Sequence, residues 1–270
     1  MGIPPAASRI PVIEVSHLST RFRESRVHED VNLTVYRGEI FALAGGNGSG
    51  KSTLLREIIM LQKPTGGEVR LLGKDTSSIR EEERDSLLRR CGVMFQYGAL
   101  FSSMTVAENV SAPLREHTRL GRNLIREIAE TKIGLVGLPP DSAWKYPGEL
   151  SGGMRKRAAM ARAIALDPEI LFLDEPSSGL DPDGAGGIDE LILHLRGLLG
   201  LTIFMVTHDL DSLWRVTDRV ALLGEGKVLA AGTMEELSAL DNPRIAPYFH
   251  GPRGRAAREQ SWNRRSGTSP

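Results

Sequence analysis

An α/β fold built on a mostly parallel sheet is what this sequence predicts. Runs that read as strands alternate with longer stretches of helical spacing. Two of those strands, residues 39–44 (EIFALA) and 170–173 (ILFL), are apolar at nearly every position, as a strand covered on both faces must be. With 270 residues, 40% of them hydrophobic and 25% charged, the chain is long enough to bury a core without metal or disulfide.

The elements follow in order. Residues 12–15, then Val31, Leu33 and Val35, alternate with polar residues and predict two half-buried strands before Gly38. Residues 39–44 form a buried strand that ends in glycines. From Ser52, Leu54, Leu55, Ile58, Ile59 and Gln62 recur at helical spacing until Pro64 and Gly66 close the helix. A charged helix at 81–90 precedes a short apolar strand at 92–95. Residues 97–165 carry mainly helical spacing, at 106–114, 124–136 and 151–166, which reads as a helical insertion between two halves of a sheet. Strand signals return at 170–173 and 201–206, and 219–230 reads as a hairpin turning at Gly224, Glu225 and Gly226. The expected organisation is one domain over residues 10–250, with the helical insertion at about 97–165, then a tail at 251–270. That tail holds five arginines and one glutamate and little apolar surface, so loose order is expected of it.

Charge and cysteine content exclude several functions. Thirty-four Lys plus Arg balance thirty-four Asp plus Glu, which leaves no strongly basic molecule and argues against nucleic acid as a partner. Cys91 is the only cysteine, so neither an intrachain disulfide nor a cysteine zinc site can form, which fits a reducing compartment. No stretch approaches 18 apolar residues, and residues 1–9 lack the layout of a secretion signal. The chain is expected neither to span a bilayer nor to be exported.

Chemistry concentrates in three short segments. Gly45, Gly46, Asn47, Gly48, Ser49, Gly50, Lys51 and Ser52 fit the phosphate-loop pattern of glycine, four residues, then Gly-Lys-Ser/Thr. The glycines let successive amides face one concavity at a helix start, Lys51 can reach the β and γ phosphates, and Ser52 can ligate magnesium. A dinucleotide fold fits less well, because Lys51 stands where G-x-G-x-x-G counted from Gly46 needs its last glycine. Four apolar residues deliver Asp174 and Glu175 at a strand end, where Asp174 can hold magnesium's hydration shell and Glu175 can polarise a water. Alone, such a terminus is commonplace. Ser151 followed by Gly152 and Gly153 caps a helix start whose open amides can take an anionic group.

In this order the segments resemble the nucleotide-binding subunit of ATP-binding-cassette transporters, over about residues 12–240. The resemblance implies a phosphate-loop NTPase fold with a RecA-like sheet, an antiparallel β-subdomain and an inserted α-helical subdomain. It implies ATP and Mg2+ as cofactors, gripped by the loop residues through Ser52 and Thr53. Phe22 falls where the family stacks an aromatic on adenine, a loose match. Gln96 matches the glutamine that links magnesium and water to the membrane partner. Leu150 to Met154 match the signature, followed by Arg155, Lys156 and Arg157; Asp181 sits in the aspartate loop and His208 is the switch histidine. His208 on its own would read as an ordinary imidazole. Met154 departs from the family's usual glutamine, which removes one side-chain amide from the nucleotide.

A narrower resemblance bears on substrate. Residues 95–101 (FQYGALF), then 104–110 and 113–118, with the methionine-type signature, look like the ATPase of the Mla system and its Mce-associated relatives, which move phospholipids across the envelope of double-membraned bacteria and plastids. It implies a head-to-tail homodimer at the cytoplasmic face of the inner membrane, a permease contact near Gln96 to Phe101, and an Mce-type lipid-binding protein in the same complex. A cassette ATPase moving amino acids, metals or drugs is the main alternative. A non-transport cassette ATPase lacks its coiled-coil arm or second cassette here, and a phosphate-loop kinase has no use for the signature. Residues 241–251 keep Ile245, Tyr248 and Phe249 beside prolines, which suggests docking on a neighbouring subunit.

Overall fold

The computed structural model describes residues 9–23 and 25–250. Its contacts divide the chain into two compact units, one of Met1–Glu81 with Phe204–Pro270 and one of Glu82–Ile203. In chain order the first stretch carries β1 (Pro11–Phe22), β2 (Ser25–Tyr36), β3 (Ile40–Gly45), α1 (Lys51–Ile58), β4 (Gly66–Leu71) and β5 (Lys74–Asp75). The middle stretch carries α2 (Glu81–Leu88), β6 (Cys91–Met94), α3 (Val106–His117), α4 (Arg122–Leu135), α5 (Gly152–Ala163), β7 (Ile170–Asp174) and α6 (Pro182–Leu199). The last carries β8 (Thr202–Val206), α7 (Leu210–Val216), β9 (Arg219–Gly224), β10 (Lys227–Gly232), α8 (Met234–Ser238) and α9 (Ala246–His250).

In the first unit an antiparallel sheet has the order β2-β1-β4-β5. A second sheet pairs β3 with β9 in parallel and β9 with β10 antiparallel. All six residues of β3 are buried, as an apolar run between covered faces requires, and the Phe41 ring stacks on Phe204 of β8 at 5.9 Å between centroids. The β9–β10 hairpin turns where expected. Glu225 at φ 52° and Gly226 at φ 75° are both left-handed, the backbone that a tight two-residue turn matching the strand twist demands.

In the second unit β6 and β7 run parallel, and every residue of β7 is buried. The helices expected across 97–165 are α3, α4 and α5. Thr105 and Glu108 form a reciprocal capping box that starts α3. A buried run of Ala158, Ala159, Met160 and Ala161 lets α5 pack closely.

Several stretches differ from the sequence reading: α1 ends at Ile58, short of the expected Gln62, and α7, α8 and α9 had no helical expectation. Residues 66–75 carry β4 and β5, although only Val69 and Leu71 are buried apolar positions in β4; the strand exists because Val15 pairs with Val69 and Ile13 with Leu71. Residues 182–199 form α6, started by the Asp181 cap and a proline in its first turn. Residues 251–270, including the arginine-rich tail and Gly251, lie outside the described residues.

Candidate functional site

The phosphate loop leaves buried β3 and turns into α1 entirely within the first unit. Gly45 sits so close to its surroundings that a Cβ there would lie 2.3 Å from the Leu223 carbonyl oxygen and 2.8 Å from Ser49 Oγ. Gly48 and Gly50 adopt φ of 76° and 97°, and Gly50 is the N-cap of α1. These positions accept only glycine without strain. Lys51 is buried and curls back over the loop, its Nζ donating to the carbonyl oxygens of Gly45 and Gly46 at 2.9 Å each. The ammonium is therefore held at the loop's concavity, where a phosphate chain would meet it. The amide of Gly46 donates to Tyr248 Oη at 2.8 Å. Ile245 and Phe249 on either side of Tyr248 are buried, so the apolar residues expected to seek a neighbour are already covered in the single chain.

His208 follows β8 in the same unit and is exposed. The amide of Thr207 beside it donates to the Leu43 carbonyl at 3.3 Å, which sets the end of β8 alongside β3 as β3 approaches the loop. Asp209 then caps α7 by accepting from the Asp211 amide at 3.0 Å. Phe22 is half-exposed at the end of β1, opposite Ser25. Its exposed ring agrees with a stacking role and does not by itself assign one.

The second unit gathers the acidic, signature and glutamine segments. Asp174 ends β7 and Glu175 follows it, both buried. Glu175 adopts φ 49°, a left-handed conformation that costs a non-glycine residue on the order of 1 kcal/mol and turns the chain sharply after the strand. Ser151 is the N-cap of α5, its Oγ accepting from the Met154 amide at 3.3 Å. A Cβ on Gly152 would lie 3.3 Å from Leu180, so the signature opens beside the loop that ends in Asp181. Asp181 caps α6 by accepting from the Gly184 amide at 2.7 Å. Ser151, Gly152, Gly153 and Asp181 are thus neighbours, as are Gln96 and Glu175 through a shared partner.

That partner is Lys156, which the sequence reading left as one of three basic residues after the signature. Its buried ammonium donates to the Glu175 carbonyl at 3.0 Å, to Ser178 Oγ at 3.1 Å and to the Gln96 carbonyl. Burial pushes the Lys156 ammonium below the ordinary lysine range, against the opposing pull of the Glu175 and Asp174 carboxylates. Arg162, one and a half turns further along α5, donates to the carbonyls of Gly98 at 2.9 Å and Ala99 at 2.7 Å and lies over the Phe101 ring. Asn109 of α3 accepts from the Phe101 amide at 2.8 Å and donates to the carbonyls of Phe101, Met104 and Thr105. Residues 96–105 are therefore tied at several points to α5 and α3, while Tyr97 stays 91% exposed. Nearby, Thr105, Ser111, Arg115, Leu120, Arg126 and Trp144 are among the residues lining a cavity of about 700 Å³.

Taken unit by unit, the Ser52 hydroxyl of the first and the Gln96 amide and Asp174 carboxylate of the second are each oxygen donors of the hard kind that Mg2+ takes. Among the described residues no group of three or more His, Cys, Asp or Glu could hold a metal alone.

The ABC transporter family profile matches residues 28–178. The chain is 41% identical over 252 residues to the probable ribonucleotide transport ATP-binding protein mkl of Mycobacterium tuberculosis, covering 93% of this chain and 69% of that protein. It is 40% identical over 240 residues to the intermembrane phospholipid transport system ATP-binding protein MlaF of Haemophilus influenzae, covering 89% and 90%. It is 40% identical over 243 residues to the methionine import ATP-binding protein MetN of Symbiobacterium thermophilum, covering 88% and 73%. Among solved structures, the ATP-binding cassette MJ0796 in a dimeric post-hydrolysis state with ADP and Pi superposes with a TM-score of 0.76 at 30% identity, covering 82% of this chain and 98% of that one.

Proposed function

The chain belongs to the ABC transporter family as an ATP-hydrolysing cassette, and from that premise we propose that the transport it powers is of phospholipid between the two membranes of a bacterial envelope. The observation that carries the substrate is the phospholipid relative, matched at 40% identity over 90% of its own length. The run from Phe95 to Phe101 and the methionine of the signature support the same reading. Methionine or ribonucleotide transport is the second reading, favoured by the similar identity to MetN and mkl.

In this mechanism two copies face head to tail. The phosphate loop of one copy, Gly45 to Thr53, holds ATP with its amides and with Lys51, and Ser151, Gly152 and Gly153 of the other copy close over the γ phosphate. Glu175 takes the proton of the attacking water, while Asp181 and His208 line the approach to it. Ser52, Gln96 and Asp174 would hold Mg2+ together with ATP, and the ion would supply positive charge against the phosphates. Hydrolysis removes the group that joins the copies, so chemistry becomes opening and closing.

A permease helix would sit against residues 96–101 and the cavity beside α3. Lys156 and Arg162 then offer a direct tie from that contact to the signature helix, and Lys156 to the backbone of the base. The subunit would lie peripherally at the cytoplasmic face of the inner membrane; among the described residues no helix is long and apolar enough to cross a bilayer. An Mce-type lipid-binding protein would complete the complex.

Affinity purification of the full chain from its native membranes tests the substrate. Recovery of a multi-span permease with an Mce-type protein, and ATPase activity stimulated by phospholipid in the reconstituted complex, are expected. Stimulation by methionine or a ribonucleotide, with phospholipid inert, would overturn the lipid reading and favour the second.

A further inference from the structure

Beneath the phosphate loop lies a buried polar cluster that the mechanism above does not use. His28 of β2 is 0% exposed, and Glu57 of α1 and Thr20 of β1 are each 1% exposed. His28 Nε2 lies 3.1 Å from the carbonyl oxygen of Gly50, and a Cβ on Gly50 would come within 2.6 Å of that nitrogen. On the other side of the ring, Nδ1 lies 3.2 Å from Glu57 Oε2. Glu57 Oε1 accepts from Thr20 Oγ1 at 2.6 Å and from Gln62 Nε2 at 3.2 Å. The chain Thr20–Glu57–His28 thus ends on the backbone of the glycine that precedes Lys51.

Hydrogen counting fixes the direction of this chain. The Gly50 carbonyl can only accept, so Nε2 carries a hydrogen and donates it. The Nδ1–Oε2 pair meets the distance of an ion pair but not the angles of a good hydrogen bond, so its main effect is to orient the ring. Apolar residues would fill the same space at less desolvation cost. The Gly50 carbonyl accepts the Leu54 amide of α1 at 2.9 Å; what the polar pair adds is a second, side-chain donor from β2 at that oxygen, and Gly50 is the left-handed N-cap from which the loop amides and Lys51 project.

We infer that His28, oriented by Glu57, is a positioning residue for the phosphate loop, holding the Gly50 peptide so that the loop is preformed for the phosphates of ATP. The inference rests on the reading of the loop as the ATP grip and extends it to a residue outside the loop. A preformed grip serves ground state and transition state alike, so its loss raises the ATP dissociation constant and KM together and leaves kcat nearly unchanged.

The test compares four full-length chains: wild type, His28→Leu, His28→Gln and the double variant His28→Leu with Glu57→Leu. ATP affinity is measured by calorimetry, KM and kcat by hydrolysis, and stability by thermal unfolding. The double variant should bind ATP about three- to tenfold more weakly, the loss of one hydrogen bond, and should melt below wild type because the buried Thr20 hydroxyl loses its acceptor. His28→Leu alone should show the same affinity loss with a lower melting temperature, because Glu57 stays buried without its partner. His28→Gln, which keeps a donor, should recover affinity towards wild type. A folded double variant that bound ATP with wild-type affinity would reduce the pair to packing and overturn the inference, even if His28→Leu failed to fold. Wild type that bound no ATP would instead remove the loop assignment beneath it, a distinct result.

Discussion

The loop in the first unit is shaped by backbone, and the reactive segments in the second are tied by long cationic side chains. Around Gly45, Gly48 and Gly50 the geometry follows from glycines with no room for a Cβ or with left-handed φ, and Lys51 bends onto the loop's own carbonyls. Around Gln96 and Glu175 the organising groups are Lys156 and Arg162, which reach across from α5 to loop carbonyls. A backbone cradle is stiff and suits a constant phosphate chain. Flexible cationic tethers can shift with what touches residues 96–101. The contrast separates gripping from coupling, and each prediction presses on one side of it.

The largest effect belongs to the second unit. Glu175→Gln should cut turnover by roughly 10²- to 10⁴-fold while ATP still binds, and dimer should accumulate with ATP. Hydrolysis assays with sedimentation check this, and undiminished turnover would remove Glu175 from the role of base. On the gripping side, Lys51→Ala should weaken ATP binding about 10- to 100-fold, as loss of a charged hydrogen bond does, and calorimetry reads it directly. If Lys51→Ala lowered only turnover, the division between the units would fail.

Asn109→Ala tests the tethers. It removes the partner of the Phe101 amide and of the Met104 carbonyl, while the Phe101 and Thr105 carbonyls keep the backbone amides of Met104 and residue 109, so thermal unfolding should report a loss of about 2 kcal/mol, with ATP affinity unchanged. The smallest effect concerns Cys91 on β6, whose thiol is pushed up to about 12 by burial. At pH 8 on the order of one part in 10⁴ is thiolate, so iodoacetamide should label the folded chain far more slowly than the unfolded one. Rapid labelling would show that β6 opens readily.

Most of the sheet was legible because its strands are short apolar runs bounded by glycine or proline, as at β3 and β7, or opened after a glycine, as at β8. Asn47 to Ser52 needed no tertiary information, since the loop's spacing is its own signal. β4 was illegible for the opposite reason: GGEVRL has two apolar residues and two glycines, and β1 makes it a strand. Asp181 and Pro182 announced α6, but three glycines in its first half, Gly184, Gly186 and Gly187, obscured the helical pattern. Lys156 looked like one charge among three, because only folding shows which cation faces inward. Glu57 and His28 were invisible as a pair, since nothing local marks a charge on an apolar helix face as buried against a distant histidine.

The central claim is that each ATP is gripped by the loop of one copy and the Ser151 of the other. Mixing two inactive full-length variants, Lys51→Ala and Ser151→Arg, tests it. In a head-to-tail pair both defects fall in one site and leave the other whole, so the mixture should regain hydrolysis that neither variant shows alone. A mixture as inactive as its components would place loop and signature of the same chain on one nucleotide and contradict the account.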